Sequence, residues 1–177
     1  MIFKQKKKHL PMEKKLVLLY FLSYGLVIYF NRGGNLIDNL AFAHFITTIP
    51  NNIILLMLYY YISKSVHVQS LMTIRIGRKS FLFHQVATVL FYMFVYWLGL
   101  YLTAYFFMPI TPGMEQSTLQ FLIINLIFFL IIALILCIKY VENNWNMIVF
   151  GVGLNFFFHY LIVPYLYRYL LQLNGGS

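Results

Sequence analysis

Long apolar stretches alternate with short polar ones along most of this chain. The apolar stretches occupy residues 16–30, 42–62, 81–107, 119–138 and 146–163. A helix rises about 1.5 Å per residue, so about 20 apolar residues cover the roughly 30 Å of a bilayer's hydrocarbon core. These runs are continuous and longer than the alternating strands of about ten residues that build membrane barrels. The pattern therefore predicts an all-α fold, a polytopic membrane bundle of about five transmembrane helices without a soluble domain.

The end of the chain leaves a sixth crossing open. Pro164 is expected to end or kink the fifth helix, because proline lacks the N–H that continues a helix. Residues 165–173 follow it. They are expected either to lie in the membrane interface or to begin another crossing.

Asparagines lie within three of the predicted apolar helices. In the second apolar stretch, Asn51 and Asn52 follow Pro50. Either they break the helix and open polar groups to a cavity, or the preceding outer loop extends to Asn52. Asn125 and Asn155 lie within the fourth and fifth stretches, where amides form hydrogen bonds between helices, to each other or to another subunit. All four are candidate cavity or helix-packing residues.

The composition fits a chain whose solvent is lipid. Hydrophobic residues make up 62% of it, charged residues 10%, and the mean hydropathy is +0.77. A soluble domain of this size does not carry so little charge. The sequence also lacks the Gly-rich loop ending in Lys-Ser or Lys-Thr that binds ATP phosphates, so ATP-driven work would need a separate ATPase.

Candidate catalytic chemistry is sparse, and the sequence predicts no catalytic residue, metal site or cofactor. The acidic residues are Glu13, Asp38, Glu115 and Glu142, all outside the predicted spans. This argues against an intramembrane aspartyl protease or a proton-coupled carrier, which place carboxylates at depth. The sharpest enzymatic alternative is a Cys–His peptidase with Cys137 as nucleophile. The apolar neighbours of Cys137 oppose the thiolate that such an enzyme needs.

Positive charge is distributed unevenly between the two sides of the predicted bundle. One side carries Lys4, Lys6, Lys7, Lys8, Lys14, Lys15, Lys64, Arg75, Arg78, Lys79 and Lys139. The other carries Arg32 and Arg168. Because Lys and Arg in short loops stay in the cytoplasm, the amino terminus is predicted to be cytoplasmic, in the plasma membrane of a bacterium. The same charge favours contact with anionic lipids, and nucleic acid is not an expected partner.

The basic loop over residues 63–80 is the most polar segment between two apolar stretches. Within it, residues 65–76 have the apolar spacing of a short helix lying along the inner membrane face, which Gly77 would end. Arg75, Arg78 and Lys79 surround that glycine. Such a patch either contacts lipid headgroups or docks on a protein partner.

Over about residues 10–110 the chain resembles the small permease-type membrane subunits of ABC exporters from Gram-positive bacteria. These proteins are linked to the export of bacteriocins or toxic peptides and to self-protection. They carry a basic Arg-x-Gly-(Ser)-Arg-Lys element before the third span, which Arg75, Gly77, Arg78 and Lys79 match without the serine. The resemblance implies that this element docks on or anchors to a separate nucleotide-binding ATPase, and that a further membrane subunit or a second copy completes a lateral cavity.

Two functions therefore lead. The first is a permease-type subunit of an ATP-driven exporter that moves an amphipathic peptide or a lipid-like substrate. The second is a non-transporting accessory or immunity protein that binds a peptide or another membrane protein. An intramembrane hydrolase is the third, and it requires Cys137 or a histidine to be essential.

Overall fold

The fold is all-α, as the sequence predicts. The computed structural model describes residues 12–30, 34–142 and 145–173, and it contains no strand among them. The helices are α1 (Met12–Phe30), α2 (Leu36–Phe42), α3 (His44–Ile76), α4 (Arg78–Phe107), α5 (Glu115–Cys137), α6 (Asn146–Phe157) and α7 (Val163–Leu173). A 3-10 turn, Ile138–Tyr140, follows α5, and a π-helical turn, Phe158–Ile162, joins α6 to α7.

Three helical segments of the described chain are long and apolar enough to cross a membrane. They are Arg78–Phe107, Glu115–Tyr140 and Asn146–Leu173. Their buried faces meet in one core, to which α3, α4 and α5 contribute fully buried side chains such as Leu55, Met93 and Phe129. Many large apolar side chains on the opposite faces of these helices are exposed. The bundle is therefore apolar both inside and on much of its outer surface.

Helix α3 corrects the expectation for the second apolar stretch. It runs unbroken for 33 residues, with Pro50 inside it. Neither a break at Asn51 and Asn52 nor a loop reaching Asn52 is present. The segment over residues 63–80 is also not a loop. Most of it continues α3 to Ile76, and α4 begins at Arg78.

Pro164 does not end the last helix, which continues through it to Leu173. The ring of a helical proline collides with the carbonyl four residues earlier, which here belongs to Tyr160. Tyr160 lies in the π-helical turn Phe158–Ile162, whose wider backbone accommodates that carbonyl. Residues 165–173 consequently continue the same helix as α7, which packs against α5 and α2.

Hydrogen bonds fix the directions of the helices. The hydroxyls of Tyr20 and Tyr24 in α1 donate to the backbone oxygens of Tyr92 (2.8 Å) and Tyr96 (3.0 Å) in α4. Both pairs advance together along the chain, so α1 and α4 run parallel. Helices α4 and α5 are antiparallel neighbours. The start of α4 lies beside the turn after α5, where the Tyr140 hydroxyl donates to Gln85 Oε1 (3.1 Å).

The two ends of the bundle differ in charge. One end, which we call the basic end, holds the start of α1, the end of α3, the start of α4 and the 3-10 turn. Its described cations are Lys14, Lys15, Lys64, Arg75, Arg78, Lys79 and Lys139. The opposite end, where Leu36 N–H donates to the Pro109 oxygen and Tyr167 donates to Asp38, carries Arg168. Lys4, Lys6, Lys7, Lys8 and Arg32 lie outside the described residues.

Replacing Gly99 with alanine is expected to destabilise the bundle by about 1–3 kcal/mol. A Cβ at this position would collide with the hydroxyl and ring of Tyr24, whose hydroxyl holds α1 against α4. Gly153 in α6 is the matched control, because a Cβ there meets no atom within 4 Å. Thermal unfolding in mild detergent measures both variants. Equal stability of the two alanine variants would contradict the packing of Tyr24 on Gly99.

Candidate functional site

A buried polar cluster lies where α3, α4 and the π-helical turn meet. The Tyr96 hydroxyl donates to Asn51 Oδ1 at 2.8 Å, and Asn51 Nδ2 lies 3.5 Å from His159 Nε2. Ser23 of α1 lies beside the Tyr96 hydroxyl. All four side chains are at most 3% exposed. Four helical elements thus contribute to one buried polar cluster in an otherwise apolar core.

A second amide pair lies beside this network. Asn155 Nδ2, on the last turns of α6, donates to Asn52 Oδ1 at 2.8 Å. Asn155 is completely buried, and Asn52 is partly buried. Two consecutive asparagines of α3 therefore contact the last helix. Asn52 pairs with Asn155 of α6, and Asn51 lies against His159 of the π-helical turn.

Asn125 belongs to a separate contact. The Tyr101 hydroxyl donates to Asn125 Oδ1 at 2.6 Å, joining α4 to α5. Asn125 and Asn155 do not pair with each other. Of the candidate residues, the structure brings together Asn51, Asn52 and Asn155 and places Asn125 apart from them.

These amides act as polar links between helices. Within an apolar bundle each such hydrogen bond contributes about 1 kcal/mol, because separation of the helices leaves both partners unsatisfied. The contacts involve both the side-chain oxygen and the side-chain nitrogen of Asn51, so the amide is held in one orientation. The network can therefore fix the relative positions of α3, α4 and the last helix.

The described part of the chain contains no group of three or more His, Cys, Asp or Glu residues that could hold a metal ion. Cys137 is buried at the end of α5. His159 donates or accepts within the amide network, depending on its tautomer. These positions place both residues in packed surroundings of the core.

A second candidate region is the basic hairpin, which we define as residues 63–80. Ile62 is the last fully buried residue of α3, and the helix continues past it to Ile76. The predicted short helix over residues 65–76 is thus a direct extension of α3. Gly77 ends it with a φ of 81°, in the left-handed region that favours glycine, and its N–H donates to the Thr73 oxygen at 3.0 Å.

The tip of the basic hairpin is exposed and cationic. Arg75, Arg78 and Lys79 are all exposed. Ile74, next to Arg75, is 84% exposed. Arg78 also borders a shallow groove of about 370 Å³ between the two helices. The tip therefore combines charge and apolar surface, the composition of a docking surface.

Sequence reasoning missed the partners that complete the polar cluster. Tyr96 and His159 lie 45 and 108 residues from Asn51 along the chain, so no local spacing connects them. The available signal was the polarity of Tyr96, Tyr101 and His159 within apolar stretches. Such groups need a partner when buried, although the sequence does not say which.

Comparison with known protein families, with curated proteins and with solved structures gave no match. Functional assignment therefore rests on the chemistry of the chain itself.

Proposed function

We propose that the chain is a multi-pass protein of a bacterial plasma membrane, with its basic end in the cytoplasm. The three long apolar helices support the proposal, and α1 and α3 bring the number of crossings to five. The charge difference between the two ends supports the orientation, since positive charge resists translocation. The amino terminus is then cytoplasmic and α7 ends on the outer side.

The protein acts as a permease-type subunit of an ATP-driven exporter, and a separate ATPase docks on the basic hairpin. The observation that carries this proposal is the continuity of the hairpin helices with the bundle. Helix α3 connects Arg75 to Asn51 over roughly 35 Å at about 1.5 Å per residue, and α4 connects Arg78 to Tyr96. Because Asn51 and Tyr96 are hydrogen-bonded to each other, movement of the tip reaches the polar cluster as a rigid rocking of both helices.

The outer surface suits an amphipathic peptide or a lipid-like substrate. Between α4 and α5 a groove of about 360 Å³ is lined by aromatic and aliphatic side chains, with Glu115 at its edge. Trp97, Tyr101 and Tyr105 form one wall. A further membrane subunit or a second copy would close this groove into a lateral cavity, as in the exporters that the chain resembles.

Purification from the native cell in mild detergent, followed by mass spectrometry of the proteins that travel with the chain, tests the proposal. We expect a nucleotide-binding ATPase in near-stoichiometric amount. Recovery of no ATPase, under conditions that keep known exporter complexes intact, would contradict the permease role.

One observation favours the accessory or immunity function instead. Each buried amide contacts a side chain of another helix, which serves helix packing, while Asn125 Nδ2 and Asn155 Oδ1 have no partner among the described residues. A membrane protein that only binds a peptide or another membrane protein needs no path for a substrate through its helices. Protection of a sensitive cell from a toxic peptide by this chain alone, with no ATPase co-expressed, would establish that alternative.

A further inference from the structure

The basic end contains a buried lysine enclosed by aromatic rings. Lys139, in the 3-10 turn after α5, is only 3% exposed. Its ammonium donates to the Tyr59 hydroxyl at 2.8 Å and lies 4.5 Å from the centre of the Trp145 ring. Such an environment holds a cation through ring electrons and one hydroxyl, without neutralising it by a carboxylate.

The same two rings line an open groove of about 500 Å³ between α3 and the start of α6. Lys64 and His67, both exposed, border it on α3. Leu56 lies further along α3 toward the middle of the bundle, and Ile148 lies on the facing helix. The groove is therefore basic toward the end of the bundle and apolar toward its middle.

Positive charge dominates this groove. No described side chain that lines it is acidic. Glu142 is the described carboxylate nearest in sequence to Lys139, and it is exposed without lining the groove. Two further described carboxylates, Asp38 and Glu115, lie at the opposite end of the bundle. Lys64 and the nearby Lys139 thus supply positive charge at the groove, and His67 adds a polar ring, an arrangement that suits an anion.

We propose that this groove binds one anionic phospholipid of the inner leaflet, with its phosphate between Lys64 and His67 and an acyl chain along Leu56 and Ile148. The inference rests on the membrane orientation proposed above, which places the basic end at the cytoplasmic headgroups. In that orientation the basic part of the groove lies at the level of the headgroups and its apolar part at the level of the acyl chains, which matches a phospholipid of the inner leaflet. Trp145 takes the interfacial position between headgroup and chain. Lys139 adds charge beneath the two rings without contacting solvent.

Fluorescence quenching of Trp145 tests the site. The chain has two tryptophans, so Trp97→Phe leaves Trp145 as the sole tryptophan, which is excited selectively at wavelengths that tyrosine does not absorb. The variant is placed in phosphatidylcholine nanodiscs that contain increasing fractions of brominated phosphatidylglycerol, or of brominated phosphatidylcholine in a parallel series. We expect the anionic lipid to quench at a much lower mole fraction. Lys64→Gln is expected to raise the half-quenching fraction about five-fold.

Lys79→Gln is the matched control, because it removes the same charge from an exposed lysine at the same end, away from the groove. It is expected to leave the half-quenching fraction unchanged. Equal quenching by the two lipids, or an equal effect of the Lys79 and Lys64 variants, would overturn the lipid site and leave the membrane proposal standing. Absence of quenching by either lipid would also contradict the position of Trp145 within the membrane, on which the site rests.

Discussion

Replacing Asn51 with leucine is expected to lower the free energy of unfolding by about 1–3 kcal/mol. The substitution removes the acceptor of the buried Tyr96 hydroxyl and the amide that faces His159, while leucine keeps a similar volume. Both remaining groups then lie in an apolar core with one partner fewer. Unfolding in mild detergent with increasing dodecyl sulfate measures the change.

Combining Asn51→Leu with Tyr96→Phe is expected to destabilise the bundle by less than the sum of the two single variants. Removal of both partners leaves no unsatisfied hydroxyl or amide between α3 and α4, whereas each single variant leaves one. Tyr105→Phe is the control, because it removes a hydroxyl from an exposed tyrosine on the same helix. Strict additivity of the two single effects would show that Asn51 and Tyr96 are not coupled.

The helices could be predicted from the sequence because their signal is local. The ends of α1 and α4 at Phe30 and Phe107 coincide with the ends of the first and third apolar stretches. Gly77 was correctly expected to end the helix before it. In each case the residues that decide the boundary are neighbours in the chain.

The interior contacts could not be predicted, because they depend on which helices become neighbours. Asn125 and Asn155 were expected to pair with each other or with another subunit, yet each forms a hydrogen bond to a different helix of this chain. Neither alternative expected for Pro50, Asn51 and Asn52, a helix break or an outer loop reaching Asn52, is present, because α3 contains Pro50 without interruption. Lys139 was counted only as a topological charge, and its burial between Tyr59 and Trp145 requires three separate segments to meet.

The continuity of α3 also changes how the basic segment can act. A short helix lying on the membrane face would be free to move relative to the bundle. Here residues 63–76 belong to the same helix as Asn51 and Asn52. Under the proposed function, a movement of the hairpin tip is therefore transmitted along α3 to the amide network. The basic segment and the polar cluster then move together as parts of one rigid helix.

Replacing Arg75, Arg78 and Lys79 with alanine is expected to remove the ATPase from the purified complex. If each exposed charge contributes up to about 1 kcal/mol to docking, the loss of all three weakens the complex by up to roughly 150-fold. The fold should be retained, since all three side chains are exposed. Quantitative mass spectrometry of the co-purified ATPase measures the effect, and unfolding in detergent checks the stability of the variant.

Paired variants separate docking from total charge. The first double variant combines Arg78→Ala with Lys79→Ala, and the second combines Lys14→Ala with Lys15→Ala. Both remove the same charge from exposed positions at the same end of the bundle. A docking role for the hairpin requires that the first pair lose most of the ATPase and the second retain it. Equal losses would mean that ATPase binding depends on the charge of the whole basic end. Undiminished recovery of the ATPase with both pairs would mean that it binds a surface other than the tip. Specific loss with the first pair would connect the ATPase to the start of α4, the helix that carries Tyr96 into the buried cluster.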